Sequence, residues 1–372
     1  MAEKVVNVYD IESKQLMKMP FFQKIRNFRS VKIIEDGAGW VLSEEAKQIA
    51  QVIKKLGYKV DSPDQNSSAK SSLFYFCQFT GIMKPKWSKK DRVAVPYYHG
   101  MPGTEGAPEF DRCFESFLRI KDDITRVQVT HEEIRTLILN TGIEKEKVFK
   151  IVIGIDTEKF KPQQVSLKNK IREELQIPEN AFVVGSFQKD GNGWGEGLEP
   201  KLIKGPDYFV EAIGLLKKEI PDLWVLLTGP ARGYVKQELV KRGVPFRHQL
   251  LDSYDKVPLM YEALDAYLVS ARQEGGPKSI LESMSKGVTI VSTRVGQASE
   301  LIQHGENGWL CEVGDVEGMS QGLLKIHQDI HLRKKLILQG YKTAKENSYQ
   351  NQIPLWEEFL KGFVKKPIFY ST

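Results

Sequence analysis

The sequence predicts an α/β protein built from two doubly wound, Rossmann-like domains that face each other across a cleft. Short apolar segments alternate with amphipathic helical segments along the chain, which is typical of βαβ units and parallel sheets. A chain of 372 residues is longer than one ordinary hydrophobic core supports, so two domains are expected. A polar stretch at residues 163–170 predicts the connection between them.

The first series of segments predicts the N-terminal domain. Its strand candidates are rich in apolar and aromatic residues, and its first helix stops at Gly57, a residue favoured just beyond helix ends. The predicted strands are residues 31–35, 58–61, 73–79, 92–98 and 127–130, and the predicted helices are residues 43–56, 110–119 and 131–139.

The second series predicts the C-terminal domain by the same alternation. Its strands are residues 181–187, 223–228, 244–249, 266–270, 288–293 and 309–313, and its helices include residues 206–219, 234–242 and 255–264. Two further helices close the series near Glu346. We therefore predict an N-terminal domain at 1–162, a C-terminal domain at 163–348, and a tail at 349–372 that packs back on the N-terminal domain. In such folds, ligands bind outside the carboxyl ends of the strands.

Composition narrows the class of protein. Hydrophobic residues make up 41% of the chain and charged residues 27%, which argues against disordered and fibrous proteins. The net charge of +6 favours anionic ligands or a negative membrane surface, and does not indicate nucleic acid. Cysteines stand only at positions 77, 113 and 311, a spacing that predicts neither a zinc site nor disulfides and favours a reducing compartment.

Targeting signals are not evident, so we expect a cytoplasmic protein. Residues 1–14 have no apolar core of a signal peptide, and no run of eighteen apolar residues occurs in the sequence. Residues 13–34 hold no acidic residue and interleave lysine and arginine with apolar side chains. Such a segment either lies on the inner face of a membrane or packs its apolar side on the domain, and the second arrangement is the commoner one.

Two glycine-rich stretches contain features that point to ligand binding. In Glu274-Gly-Gly-Pro-Lys-Ser-Ile-Leu-Glu282, two carboxylates bracket a turn that opens a predicted helix, with Pro277 suited to the first helical position. Amides at a helix N-terminus favour phosphate or sugar oxygens, and a carboxylate accepts from two vicinal hydroxyls. A nucleotide-sugar has this alternation of hydroxyls and anionic groups. The other stretch, residues 190–197, predicts either close approach to a ligand or a mobile flap.

The pattern of two glutamates with seven intervening residues resembles the EX7E signature of retaining glycosyltransferases of family 4, the glycosyl transferases group 1, which have the GT-B fold. Residues 150–160 are similar to the interdomain segment of that family, and Val295-Gly296 and residues 305–310 resemble the sequence that follows its signature. The resemblance covers about residues 127–330 and is thin before residue 120.

The resemblance implies roles for the paired carboxylates. Glu274 takes the position that contacts hydroxyls of the transferred sugar, and Glu282 takes the position that holds the ribose of the nucleotide. The residues between them would lie beside the sugar or the diphosphate; these are Gly275, Gly276, Pro277, Lys278 and Ser279.

The family also presents a basic pair to the diphosphate. Lys204, before Gly205, matches the lysine of this pair, whereas Gly185-Ser186 stands where an arginine is expected. Lys189 is the predicted substitute. A surface position is the usual alternative for either lysine.

Three further residues match positions in the N-terminal half of the family. His99, at the end of a predicted strand, stands near the histidine that lies beside the reacting sugar, although histidines at strand ends are often structural. Gly37 and Gly39 stand where a glycine-rich loop approaches the diphosphate, or they form only a tight βα turn.

The resemblance thus implies a retaining glycosyltransferase that moves a sugar from a UDP-, GDP- or ADP-linked donor to a carbohydrate or lipid-linked acceptor. The sequence has no Asp-X-Asp motif, so neither a metal ion nor a cofactor is expected. Two alternatives stay open: a catalytically silent, nucleotide-sugar-binding subunit of a glycosylation complex, and a phosphorylase or epimerase that acts on sugars with the same fold.

Overall fold

The computed structural model describes residues 30–35, 40–61 and 72–365. These residues form two six-stranded sheets, and every pairing between neighbouring strands is parallel. Helices cover the sheets, so the predicted α/β class with two doubly wound domains is confirmed. None of the helices in this part of the chain has the length and apolar character needed to cross a bilayer.

The N-terminal sheet has the strand order β2-β1-β3-β4-β5-β6. Its strands are β1 (Ser30–Ile34), β2 (Lys59–Asp61), β3 (Ser72–Tyr75), β4 (Arg92–Pro96), β5 (Arg126–Val129) and β6 (Val148–Lys150). The helices of this half are α1 (Trp40–Lys55), α2 (Pro108–Ile120) and α3 (Glu132–Leu139).

The C-terminal sheet has the strand order β12-β11-β10-β7-β8-β9, which reverses direction between β7 and β10. Its strands are β7 (Phe182–Phe187), β8 (Leu223–Thr228), β9 (Phe246–Gln249), β10 (Ala266–Val269), β11 (Thr289–Thr293) and β12 (Trp309–Cys311). Its helices are α4 (Val165–Glu174), α5 (Pro206–Glu219), α6 (Gly233–Lys241), α7 (Val257–Glu262), α8 (Ser279–Lys286), α9 (Ala298–Leu301), α10 (Val316–Gln328) and α11 (Ile330–Glu346).

Strand β7 shows why these strands are apolar on both sides. Phe182 and Val184 enter the hydrophobic cluster on one face of the sheet, and Val183 enters the cluster on the other face. Successive side chains of a strand point to opposite faces, so a strand covered by helices on both sides carries a nearly continuous apolar run.

The last helix of the described residues, α12 (Ile353–Leu360), packs on the N-terminal sheet rather than on the domain that precedes it in the chain. Trp356 and Phe359 are buried beside Phe74 of β3, with the ring centroids of Phe74 and Phe359 5.2 Å apart. The chain therefore passes between the two halves of the protein twice.

Some predicted elements are wrong in their bounds or type. Much of the polar stretch 163–170 is helix, because α4 begins at Val165 and its Arg172 is buried, with an ion pair of 2.7 Å to Asp265. The predicted strand 73–79 ends at Tyr75 and gives way to a π-helical turn, Phe79–Met83. Strand β6 was not predicted from the pattern.

Candidate functional site

The loops that follow β7 and β10 meet at the point where the order of the C-terminal sheet reverses. β7 and β10 are hydrogen-bonded neighbours, so their carboxyl ends lead into adjacent loops. A crevice at such a point is the usual ligand site of a doubly wound sheet. Lys204 lies at the end of the first loop and Glu274 in the second.

Lys204 and Glu274 form an ion pair. Lys204 ends a 3₁₀ turn, Leu202–Lys204, and Gly205 follows it with φ of +62°. A Cβ on Gly205 would lie 1.8 Å from the carbonyl oxygen of Ser270, so only glycine lets this turn pack against the end of β10. This close approach of the two loops sets the lysine beside the carboxylate.

A cavity of about 400 Å³ lies around this ion pair, between the N-terminal and C-terminal halves. Its apolar lining comes from four side chains: Phe79, Met83, Phe110 and Ile203. Its charged lining comes from Lys84, Lys201, Lys204, Glu109 and Glu274. Three lysines against two glutamates leave one positive charge in excess, which favours an anionic ligand.

His99 lines the same cavity from the N-terminal half. The side chain of Gln78 fixes its backbone: the Gln78 carbonyl accepts from the His99 N–H at 2.7 Å, and the Gln78 amide donates to the His99 carbonyl at 2.9 Å. The imidazole stacks on Phe79, with the ring centroids 6.4 Å apart. The structure thus brings together His99, Lys204 and Glu274, which the sequence had placed in one site.

Lys201 is a site residue that the sequence reasoning missed. It lines the cavity with Lys204, and burial, followed by the charge of Lys204, lowers the pKa of its amine. A signal for it was present, because side chains three residues apart fall on the same face of a 3₁₀ turn. The spacing of Lys201 and Lys204 therefore indicates a pair of cations.

Lys189 does not line this cavity, so its predicted contact with the diphosphate stays a prediction. Its ammonium lies 3.9 Å from the centre of the Trp194 ring, an attractive cation–π contact. Trp194 is 75% exposed at the tip of the glycine-rich stretch.

An arginine does approach Ser186, but it comes from another part of the chain. Arg232 is fully buried; it donates to the carbonyl oxygens of Ser186, Gln188 and Thr228 and pairs with Asp190 at 2.9 Å. These partners hold its guanidinium inside the protein, so Arg232 ties the ends of β7 and β8 together. The glycine-rich stretch is anchored at Asp190 by this ion pair.

The turn between the paired glutamates packs against the N-terminal half. A Cβ on Gly275 would lie 2.0 Å from the carbonyl oxygen of Tyr98, and the hydroxyl of Thr130 donates to the Gly275 carbonyl at 2.7 Å. A Cβ on Gly276 would lie 2.5 Å from the Cδ1 of Ile153, which is also closer than van der Waals contact. Both glycines therefore form an interdomain contact.

Lys278 is also held by the N-terminal half of the protein. Its ammonium, which is buried, donates to Glu45 of α1 at 3.1 Å and to the hydroxyl of Tyr349 at 3.0 Å. The prediction that Pro277 opens the helix is wrong, because α8 begins two residues later, at Ser279.

Glu282 lies in the first turn of α8 and is buried, with 5% of its surface exposed. Tyr254 donates to one carboxylate oxygen, and Tyr261 donates to the other at 2.9 Å. Burial raises the pKa of the carboxyl, and these hydrogen bonds and Lys278 oppose that rise. The predicted ribose-binding oxygens are both engaged by tyrosines.

Two parts of the predicted site lie outside the described residues. These are Gly37 and Gly39, in the loop after β1, and most of the basic segment 13–34. Their roles stay predictions.

Residues 198–343 match the family described as glycosyl transferases group 1. Curated relatives include the putative glycosyltransferase EpsD of Bacillus subtilis, 26% identical over 52% of this chain and 48% of the relative. The lipopolysaccharide core biosynthesis mannosyltransferase LpsB of Rhizobium meliloti is 29% identical over 45% of this chain and 47% of the relative. The matches thus span about half of each of these relatives.

Solved structures with the same fold cover nearly the whole chain. HepE of Anabaena, in complex with UDP-glucose, superposes with a TM-score of 0.69 at 17% identity, over 89% of this chain and 99% of that one. Sucrose-phosphate synthase of Thermosynechococcus elongatus superposes with a TM-score of 0.69 at 13% identity, over 90% and 98% of the two chains. At these identities the likeness concerns the fold, which is the GT-B arrangement of two doubly wound domains.

Proposed function

We propose that this chain, whose residues 198–343 match the glycosyl transferases group 1 family, transfers a sugar from a nucleotide-sugar to a hydroxyl acceptor. One observation carries the proposal: Lys204, Glu274 and His99 converge on a single cavity between the two halves. A cation beside a carboxylate suits a donor whose phosphates and sugar hydroxyls lie next to each other.

The proposed chemistry separates charge, and the site has groups for both signs. When the bond between the sugar C1 and the phosphate oxygen breaks, positive charge develops on the sugar and negative charge on the diphosphate. Lys204 and Lys201 would stabilise the leaving diphosphate. Glu274 would accept from hydroxyls of the sugar, and His99 would lie beside the sugar from the N-terminal half.

The proposed stereochemical course is retention. The acceptor oxygen bonds to C1 on the face that the phosphate leaves, and the acceptor proton passes to the leaving phosphate oxygen. This route needs neither a carboxylate nucleophile nor a metal ion, because the lysines supply the positive charge. Exclusion of water from the cavity would suppress hydrolysis of the donor.

The proposed donor is a UDP-, GDP- or ADP-linked sugar, and the names of the relatives support UDP as the first to test. The structural neighbour HepE is in complex with UDP-glucose. One relative is named a diphosphoundecaprenol galactosyltransferase of Escherichia coli, and another acts in lipopolysaccharide core biosynthesis. We propose a carbohydrate or lipid-linked acceptor, a cytoplasmic location and contact with the inner face of a membrane, without nucleic acid as a partner.

A nucleotide screen followed by a turnover assay tests this function. Binding to the native state raises the melting temperature, so UDP, GDP and ADP and their sugars can be compared by thermal shift. The wild type should then transfer or slowly hydrolyse the sugar of the donor that it binds. Glu274→Ala should abolish turnover and keep the melting temperature, whereas Glu317→Ala, an exposed glutamate of α10, should keep full activity. A fully active Glu274→Ala would contradict the assignment.

A second candidate is a catalytically silent subunit that binds the nucleotide-sugar. Ser186 in place of the expected arginine favours it, because the nearby Arg232 is held by buried partners instead. A silent subunit would show a nucleotide-dependent rise in melting temperature without donor turnover. Turnover that depends on Glu274 would exclude it.

A further inference from the structure

The two tyrosines that hold Glu282 differ in their freedom to leave it. Tyr261 lies on α7 with none of its surface exposed, and its ring packs 4.9 Å from that of Phe187 and 5.6 Å from that of Tyr267. Tyr254 is partly exposed and lies on a single 3₁₀ turn, Tyr254–Lys256. Tyr254 is therefore the less constrained of the two tyrosines, although its ring also packs 6.1 Å from that of Phe160.

Tyr254 also separates Glu282 from an open crevice. The crevice, of about 200 Å³, lies between Ser43, Glu44 and Lys47 of α1 and residues 252–255 of the C-terminal half. Tyr254 lines this crevice, and its hydroxyl donates to the buried Glu282 carboxylate. Movement of this one side chain would join the crevice to the buried carboxylate.

The surroundings of Tyr254 supply contacts on the crevice side as well. Lys159 lies 4.6 Å from the centre of its ring and pairs with two residues that line the crevice, Glu44 at 3.0 Å and Asp255 at 2.7 Å. The polar lining of the crevice suits an uncharged, hydroxyl-bearing group better than an apolar one.

From this geometry we propose that Tyr254 is a gate for the nucleoside part of the donor. Its hydroxyl takes the Glu282 oxygen that a ribose hydroxyl needs, and the nucleotide binds only when Tyr254 turns away. This inference rests on the proposed function, since it assigns the nucleoside end of the same donor. Tyr254 thereby sets nucleotide affinity without touching the reacting sugar.

The gate predicts the direction in which nucleotide affinity changes when the Tyr254 hydroxyl is removed. A ligand that binds only the open state has an apparent Kd equal to its intrinsic Kd divided by the fraction of open protein. A hydrogen bond to a carboxylate favours the closed state. Its removal should therefore tighten nucleotide binding, whereas the loss of an ordinary structural hydrogen bond would leave binding unchanged or weaken it.

Titration calorimetry with UDP, GDP and ADP on the full chain tests the gate. Tyr254→Phe keeps the ring and removes the hydroxyl, so the nucleotide bound by the wild type should bind at least about fivefold more tightly. Tyr261→Phe is the matched control: it removes a hydroxyl from the same carboxylate but opens no path, and should not tighten binding. Tyr254→Leu removes the ring as well and should bind at least as tightly as Tyr254→Phe, which provides a second variant if the first folds poorly.

The outcomes separate the gate from the proposed function. Equal or weaker binding by folded Tyr254→Phe and Tyr254→Leu, with a wild type that binds nucleotide, overturns the gate and leaves the proposed function standing. Binding by Tyr254→Phe alone, with no binding by the wild type, supports the gate strongly. Failure of every protein to bind any of the three nucleotides overturns the proposed function and the gate together.

Discussion

Lys204 and Glu274 are 70 residues apart in the chain and form an ion pair at the carboxyl edge of the C-terminal sheet. Each is the partner of the other before any ligand is considered. A donor would therefore exchange this contact for two new ones, with phosphate on the lysine and sugar hydroxyls on the carboxylate.

We expect Lys204→Met to lower the rate of sugar transfer by about 100- to 1000-fold, the range for the loss of one group that stabilises a developing negative charge. The fold should persist, because Lys204 lies at the cavity and not in a hydrophobic cluster. Steady-state transfer rates, with Lys218→Met on the exposed end of α5 as the control, measure the effect. A change below threefold would contradict the role of Lys204.

The cavity and the sequence prediction assign the diphosphate to different lysines, Lys201 and Lys189 respectively. Lys201 lines the cavity, whereas Lys189 lies on Trp194, so Lys201→Met should raise the Kd of the nucleotide about tenfold, which corresponds to a charge-assisted hydrogen bond. Lys189→Met should change the Kd less than twofold. If titration calorimetry shows a larger increase in the nucleotide Kd for Lys189→Met than for Lys201→Met, Lys189 is the residue that binds the diphosphate.

Gly275→Ala should disturb the contact between the two halves. The added Cβ would lie 2.0 Å from the Tyr98 carbonyl oxygen, so the halves must separate or the backbone must strain, at a cost of about 1–3 kcal/mol. Gly195→Ala is the matched control, because its Cβ would meet nothing within 4 Å. Thermal unfolding reports the cost, and small-angle X-ray scattering reports a larger radius of gyration if the halves separate.

His131 should make stability depend on pH. Burial lowers the pKa of this histidine to about 4, and the charges that face it are Glu133, at 3.9 Å, with Glu300 and Lys150. Its folded pKa lies below its unfolded value of about 6.5, so the unfolded state binds the proton first and stability falls as pH drops through this window. Between pH 7 and pH 5 we expect a loss of about 2 kcal/mol from this group.

Urea unfolding at the two pH values checks this dependence. His131→Gln removes the titrating group, so its own loss between pH 7 and pH 5 should be smaller than that of the wild type by about the same 2 kcal/mol. The comparison uses the difference between pH values, which is independent of any uniform destabilisation by the substitution. An identical loss in both proteins would contradict the prediction.

Local patterns were enough to predict elements whose ends carry their own signals. Helix α5 has the predicted bounds 206–219, because Pro206 occupies its first turn and Gly205 precedes it. Helix α4 was not predicted, since its burial depends on Arg172 reaching Asp265, 93 residues further along the chain. Such a partner leaves no trace in the local periodicity.

In the candidate site too, some features have local sequence signals and others depend on partners that are distant in the chain. The spacing of Glu274 and Glu282 and the motif around Lys204 could be read directly from the chain. The partners of Lys278 could not, because Glu45 lies 233 residues away and its position follows from the packing of the two halves. Arg232 was missed for the same reason, since only the fold brings its guanidinium to the Ser186 carbonyl.

The packing of α12 on the first sheet has a consequence for biosynthesis. The N-terminal sheet is complete in sequence at Lys150, yet its hydrophobic cluster includes Trp356 and Phe359. On the ribosome, the first half of the nascent chain must therefore wait with an uncovered apolar surface while the second half is translated. We expect that half to engage chaperones until α12 emerges and covers this surface.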